Sequence, residues 1–157
     1  MTCTINRAEA AYTPSFSGTR HPHCLVVEDN PTNQFVVAHF LRKLGITLDM
    51  APRGADALAA LEARGYDFVL MDIEMPQLDG YETTRELRRR ELASGRRRTT
   101  VIALSADALP ESEERARRAG MDAFLTKPIV IDALERTIRR HLAPELRPDQ
   151  AVIARAG

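Results

Sequence analysis

Cys24-Leu-Val-Val-Glu-Asp-Asn-Pro31 is a run of four apolar residues stopped by two carboxylates, an amide and a proline. So short an unbroken apolar run reads as a strand covered on both faces, which is how strands of parallel sheets are built. The same shape recurs at Thr47 to Ala51 (broken by Asp49), Phe68 to Met71, Val101 to Leu104, and Ala123 to Leu125. The segments between these runs have helical spacing. Val36, Val37, Phe40, Leu41 and Leu44 form one helical face that stops at Gly45. Gly54 to Arg64 carries Ala57, Leu58 and Leu61 and stops at Gly65. Gly80 to Ala93 and Pro110 to Ala119, which stops at Gly120, follow. Ile129 to Leu142 places Ile131, Leu134, Ile138 and Leu142 on one side. Five strands alternating with five helices predict an α/β fold, a parallel sheet with helices on both faces.

The 157 residues bound this pattern to one domain of ordinary size. The apolar fraction, 44%, is enough for a sizeable core. With 22 basic and 22 acidic side chains, the total charge supplies no drive for non-specific nucleic-acid binding. No apolar run approaches the roughly 18 residues of a membrane span and no secretory signal pattern is present, so a cytoplasmic location is expected. Cys3 and Cys24 offer neither a disulfide framework nor CxxC spacing, and a reducing compartment fits. His21 and His23 beside Cys24 are read as structural, because Cys24 opens a buried strand. Residues 1–22, rich in Thr, Ser, Ala and Pro, are expected to be a flexible leader. Residues 23–143 form the predicted domain. Residues 144–157, with Pro144 and Pro148, are expected to be a tail or linker stub too short for an output domain.

In an open α/β sheet the ligand site lies outside the carboxyl ends of the strands, where the winding reverses. What ends each apolar run therefore matters. The first ends in Glu28 and Asp29, the third in Asp72, the fourth in Ser105 and the fifth in Thr126, Lys127 and Pro128. Any one acidic residue after a strand is more often a helix cap or turn former. The set is harder to explain that way. Three carboxylates gathered on one rim repel one another, and a hard divalent ion such as Mg²⁺ is the usual remedy in an all-oxygen site. A nearby hydroxyl and ammonium are the other groups that stabilise a transferring phosphoryl group.

Leu25-Val-Val-Glu-Asp-Asn30, Val69-Leu-Met-Asp-Ile-Glu-Met-Pro76 with Asp79-Gly80, Val101-Ile-Ala-Leu-Ser-Ala106 and Gly120-Met-Asp-Ala-Phe-Leu-Thr-Lys-Pro128 together resemble the receiver domain of two-component response regulators. The Glu-Asp-Asn-Pro form followed by Asn33-Gln34 is most similar to receivers of hybrid histidine kinases. The resemblance implies a doubly wound, flavodoxin-like (βα)5 sheet of order 2-1-3-4-5. It implies that Asp72 is the nucleophile and phosphorylation site, taking a phosphoryl group from a histidine kinase or histidine phosphotransfer protein. Asp29 would bind Mg²⁺ directly, Glu28 through water and Glu74 through its main-chain carbonyl, with Asp72 completing the set. Lys127 would pair with Asp72 and later with phosphate. Ser105 would swing onto the phosphate as the switch, with Phe124 following it, and Lys127-Pro128 would be cis. Asn33, Gln34 and Val37 would lie on the surface that meets the histidine donor.

Where Tyr is frequent in the family this chain has Phe124, which lacks a hydroxyl to offer a partner. Glu28 in place of Asp still reaches Mg²⁺ through water. Glu74 and Asp107, two residues after Asp72 and Ser105, stand where the family varies its phosphate lifetime. Arg88 to Arg90 and Arg96 to Arg98 read as helix-end and loop charges; no motif supports direct nucleic-acid contact. The downstream target is a protein the sequence does not identify, a homodimer is a further option, and no membrane partner is expected. Two alternatives remain: a Mg²⁺-dependent aspartyl-phosphate hydrolase, and an interaction module that keeps the fold without taking phosphate. The reading chosen is a phosphoacceptor with self-phosphorylation and autodephosphorylation, not a turnover enzyme, its output lying in another molecule.

Overall fold

The computed structural model describes Phe16 and residues 20–142. Strand β1 (His23–Val27) leads to helix α1 (Pro31–Lys43). There follow β2 (Thr47–Ala51), α2 (Gly54–Ala63), β3 (Phe68–Asp72), α3 (Gly80–Ser94), β4 (Thr100–Ser105), α4 (Pro110–Ala119), β5 (Ala123–Thr126) and α5 (Ile131–His141). All strand pairs are parallel and the sheet order is β2-β1-β3-β4-β5. Apart from Phe16 and residues 20–22, the stretches read as leader and tail lie outside the described residues.

The unbroken apolar runs have a simple cause: alternate residues of each central strand serve opposite faces. Cys24, Val26, Phe68, Leu70, Ile102 and Leu104 pack with α1 and α5. Leu25, Val27, Val69, Met71, Val101 and Ala103 pack with α2, α3 and α4. Each Val, Leu, Ile, Met or Phe among them contributes about 1.5–3 kcal/mol by leaving water. The outer strands β2 and β5 are only partly covered.

Three expectations need correction. The buried face of α1 is Val37, Ala38 and Leu41, continuing to Leu44, whereas Val36 is exposed and Phe40 half-buried. A helix lying on a sheet buries a narrow stripe, and Val36 falls about 100° from Val37. Gly65 does not end α2; the helix stops at Ala63, with Arg64 in extended conformation as its cap. Phe16, inside the expected leader, is a core residue: it is buried beside α1 and α5, and its N–H donates to the Leu44 carbonyl at 3.1 Å.

Local chemistry sets the helix starts nearest the site. Asn30 caps α1 by accepting from the N–H groups of Thr32 and Asn33. Asp79 and Glu82 form a capping box at α3. Gly80 follows Asp79 because a β-carbon there would lie 2.4 Å from the Asp72 carbonyl oxygen, so α3 starts hard against the end of β3.

Candidate functional site

Strands β1 and β3 are neighbours whose following helices go to opposite faces of the sheet, α1 to one and α3 to the other. The crevice between their carboxyl ends receives Glu28, Asp29 and Asp72. One carboxylate oxygen from each lies within 4.8 Å of the others. Glu28 and Asp72 are 0% and 2% exposed, while Asp29 is open to solvent. Lys127, delivered by the turn after β5, places Nζ 3.0 Å from Glu28 Oε2 and 3.0 Å from Asp72 Oδ1. The Lys127–Pro128 peptide is cis, and the Lys127 N–H donates to the Ser105 carbonyl at 2.7 Å. Ser105 is buried at the end of β4, its Oγ accepting from the Asp107 N–H at 3.0 Å.

One ammonium thus faces two buried carboxylates, and their environments drive them apart. Burial pushes the Asp72 carboxyl up to about 6, with the adjacent Glu28 charge adding to the rise while Lys127 and the Glu74 N–H oppose it. Burial also disfavours the Glu28 anion, but the Asn30 N–H and Lys127 outweigh it and hold that carboxyl below its ordinary value. Lys127 is pushed up: burial works against its charge, and the two carboxylates overcome that. Three converging oxygens with a partly open mouth suit a hard divalent cation that keeps water ligands.

The other predicted residues are less uniform. The Glu74 N–H donates to Asp72 Oδ1 at 3.1 Å and its side chain is exposed. Phe124 is half-buried against the α2–α4 layer, and Thr126 is exposed at the rim. Asp107 accepts from Ser112 Oγ at 2.6 Å and the Leu109 N–H at 2.8 Å, tying down the start of α4. Asn33 is half-buried. Gln34 is turned to the site: its Nε2 donates to the Glu28 carbonyl at 2.7 Å. Val37 is 3% exposed and belongs to the core, so it is not a surface residue. The apolar side chains that α1 does expose are Phe35 and Val36. Sequence reasoning missed Phe35, although the spacing Val37, Leu41, Leu44 places it off the buried stripe. It also missed the Lys127–Glu28 contact, for which no local signal exists.

The arginine clusters lie elsewhere: Arg88 to Arg90 sit within α3, short of its last turn, so they are not the helix-end charges expected, and Arg96 to Arg98 lie in the loop into β4. Arg88 is largely buried and bonds Glu91, Asp122 and the Gly120 carbonyl. Arg89 and Arg90 pair with Glu86, and Arg90 also with Glu62.

A profile of the response regulator receiver domain matches residues 24–139. The chain is 32% identical over 165 aligned residues to Histidine kinase 5 of Arabidopsis thaliana, across 90% of this chain and 18% of that protein. It is 39% identical over 114 residues to Sensor histidine kinase RcsC of Salmonella typhi, across 73% of this chain and 12% of that protein. It therefore spans only a small part of these relatives' length. Among solved structures, the receiver domain of sensor histidine kinase PA1611 from Pseudomonas aeruginosa, with a magnesium ion in its active-site cleft, is 39% identical with a TM-score of 0.70, covering 78% of this chain and 98% of that one. The complex of the Saccharomyces cerevisiae phosphotransfer protein Ypd1 with the receiver domain of Ssk1 aligns at 28% identity and a TM-score of 0.76, covering 83% and 94%. No described helix is long and apolar enough to cross a membrane. With strand order, motif order and sequence in agreement, the chain belongs to the response regulator receiver domain family of two-component phosphorelay signalling.

Proposed function

We propose that residues 23–143 accept a phosphoryl group from a phosphohistidine, on a histidine kinase or a histidine phosphotransfer protein, onto Asp72, with Mg²⁺ as cofactor. The observation that carries this reading is the buried Asp72 carboxylate 3.0 Å from the Lys127 ammonium, with Glu28 and Asp29 close enough to share a cation. An Asp72 carboxylate oxygen attacks phosphorus, an O–P bond forms, the P–N bond breaks and its electron pair leaves on the imidazole nitrogen, which takes up a proton. Glu28, Asp29, Asp72 and the main-chain carbonyl of Glu74 would hold Mg²⁺, which when bound neutralises charge on the phosphoryl oxygens. Lys127 is a second, fixed positive charge for those oxygens. Ser105 Oγ, now held by the Asp107 N–H, is the hydroxyl that turns to the phosphate, and half-buried Phe124 can move into the space it leaves. Attack by water on the acyl phosphate returns Asp72 and inorganic phosphate. The PA1611 receiver with its magnesium ion and the Ypd1–Ssk1 complex support the cofactor and the donor class. Asn33 beside exposed Phe35 and Val36 on α1 is the surface for that donor. The hydrolase alternative falls with the family.

Incubation with Mg²⁺ and acetyl phosphate, or with a phosphorylated phosphotransfer protein, followed by intact-mass spectrometry will give one phosphoryl adduct. Asp72→Asn will give none. An adduct that persists in Asp72→Asn, or none from either donor, overturns the proposal.

A further inference from the structure

The amino ends of the strands carry a second constellation that phosphoacceptor chemistry does not use. A groove of about 610 Å³ lies there, bounded by Arg20, Arg64, Arg96, Arg97 and Arg98, against two acidic residues among the described ones, Glu62 and Asp67. Its volume is that of a small-molecule site. A second groove, of about 630 Å³ between α2 and α3, shares Arg96 and Arg97 with it. Both acids are already engaged: Asp67 by Arg20 at 2.8 Å and Glu62 by Arg90 at 2.6 Å. Arg64 and Arg98 are paired in turn with Asp49 and Asp122.

Arg96 and Arg97 are different. Arg96 Nη1 donates to the Leu61 and Glu62 carbonyls, each at 3.1 Å, which orients the guanidinium without cancelling its charge. Its Nε and Nη2 have no partner among the described residues, and Arg97 has none at all. The groove is therefore lined by two consecutive arginines that no carboxylate among the described residues neutralises, one of them pre-positioned by backbone. Guanidinium forks match phosphate oxygens two at a time. We propose that this groove binds a small polyphosphate-bearing anion, of nucleoside di- or triphosphate size, with Arg96 and Arg97 as its principal contacts. The site is separate from the acyl-phosphate pocket, since β3 alone, at five residues, sets the two roughly 17 Å apart. An extended nucleic acid would need a longer run of uncompensated cations than these two.

The test is titration of the full chain, without Mg²⁺, by sodium tripolyphosphate and by ATP, read by calorimetry and by backbone amide shifts. Saturable binding is expected, with shifts at Gly65, Thr99 and Thr100 and none at Glu28, Asp72 or Lys127. The double variant Arg96→Gln/Arg97→Gln is expected to weaken it by roughly tenfold or more, while still forming the Asp72 adduct with acetyl phosphate, which shows that it folds. Equal affinities assign the polyphosphate chain as the ligand; tighter ATP assigns a nucleotide. Absence of saturable binding, undiminished binding by the double variant, or shifts centred on Lys127 overturns the proposal. Binding of a single-stranded oligonucleotide in place of both probes overturns it too.

Discussion

The two ends of one sheet handle charge in opposite ways. At the carboxyl ends, Glu28 and Asp72 are buried with a single ammonium between them, and Asp29 adds a third carboxylate. At the amino ends and the adjoining end of α3, most charges have a partner of opposite sign: Arg20 with Asp67, Arg64 with Asp49, Arg88 with Glu91 and Asp122, Arg90 with Glu62. The first end is under-compensated and calls for a cation. The second is balanced except at Arg96 and Arg97, and its ion pairs brace the scaffold. Charge left without a partner, rather than charge as such, marks where a ligand belongs.

The sharpest way to break the comparison is to remove the brace. Arg88 is 13% exposed and its loss leaves the 8% exposed Glu91 carboxylate without its cation. Arg88→Ala is expected to lower stability by about 3 kcal/mol, seen as a fall in the urea midpoint with an unchanged slope. At the other end the expectation is reversed, because there a missing cation can be supplied. Mg²⁺ at 100 times its dissociation constant should add about 2.7 kcal/mol. EDTA should remove that gain and Asp29→Asn should abolish it, both measured by the same urea titration.

Tyr66 sharpens the contrast from the balanced end. Burial, then its hydrogen bond to Asp49 Oδ2 at 2.8 Å, pushes the phenol up from 10.0 to about 12. A folded value above the unfolded one means that the stabilising contribution is full below pH 10.0 and is lost as pH rises through about 12. Phenolate absorbance should therefore show a late-ionising tyrosine that Asp49→Asn brings forward. The smallest effect belongs to the exposed Arg89–Glu86 pair. Arg89→Ala should leave the urea midpoint unchanged, since solvent screens such a pair and ordering two long side chains offsets its attraction.

The central strands were legible because burial on both faces demands unbroken apolar runs: β3, expected from Phe68 to Met71, is buried along its whole length from Phe68 to Asp72. Helix α4 was legible from Pro110 at its start and Gly120, in left-handed conformation, at its end. The orientation of α1 was less so. Five apolar residues span more of the helix than the sheet covers, and only packing selects Val37 and Leu41 over Val36. The family resemblance placed Val37 on the donor-facing surface, whereas packing buries it in the core. Phe16 could not be placed, because an isolated apolar residue between Ser15 and Ser17 carries no periodicity.

By itself the sequence determined the alternation of strand and helix, and which residue types stand at each strand's carboxyl end, because both are written in local spacing. Tertiary structure alone decided that Lys127 meets Glu28 as well as Asp72, that Gln34 holds the Glu28 carbonyl, and that Arg88 is a buried brace while Arg97 has no partner among the described residues. Lys127 is 99 positions from Glu28 along the chain. Whether a charge is compensated depends on neighbours that only the folded sheet brings together, and no local pattern records them.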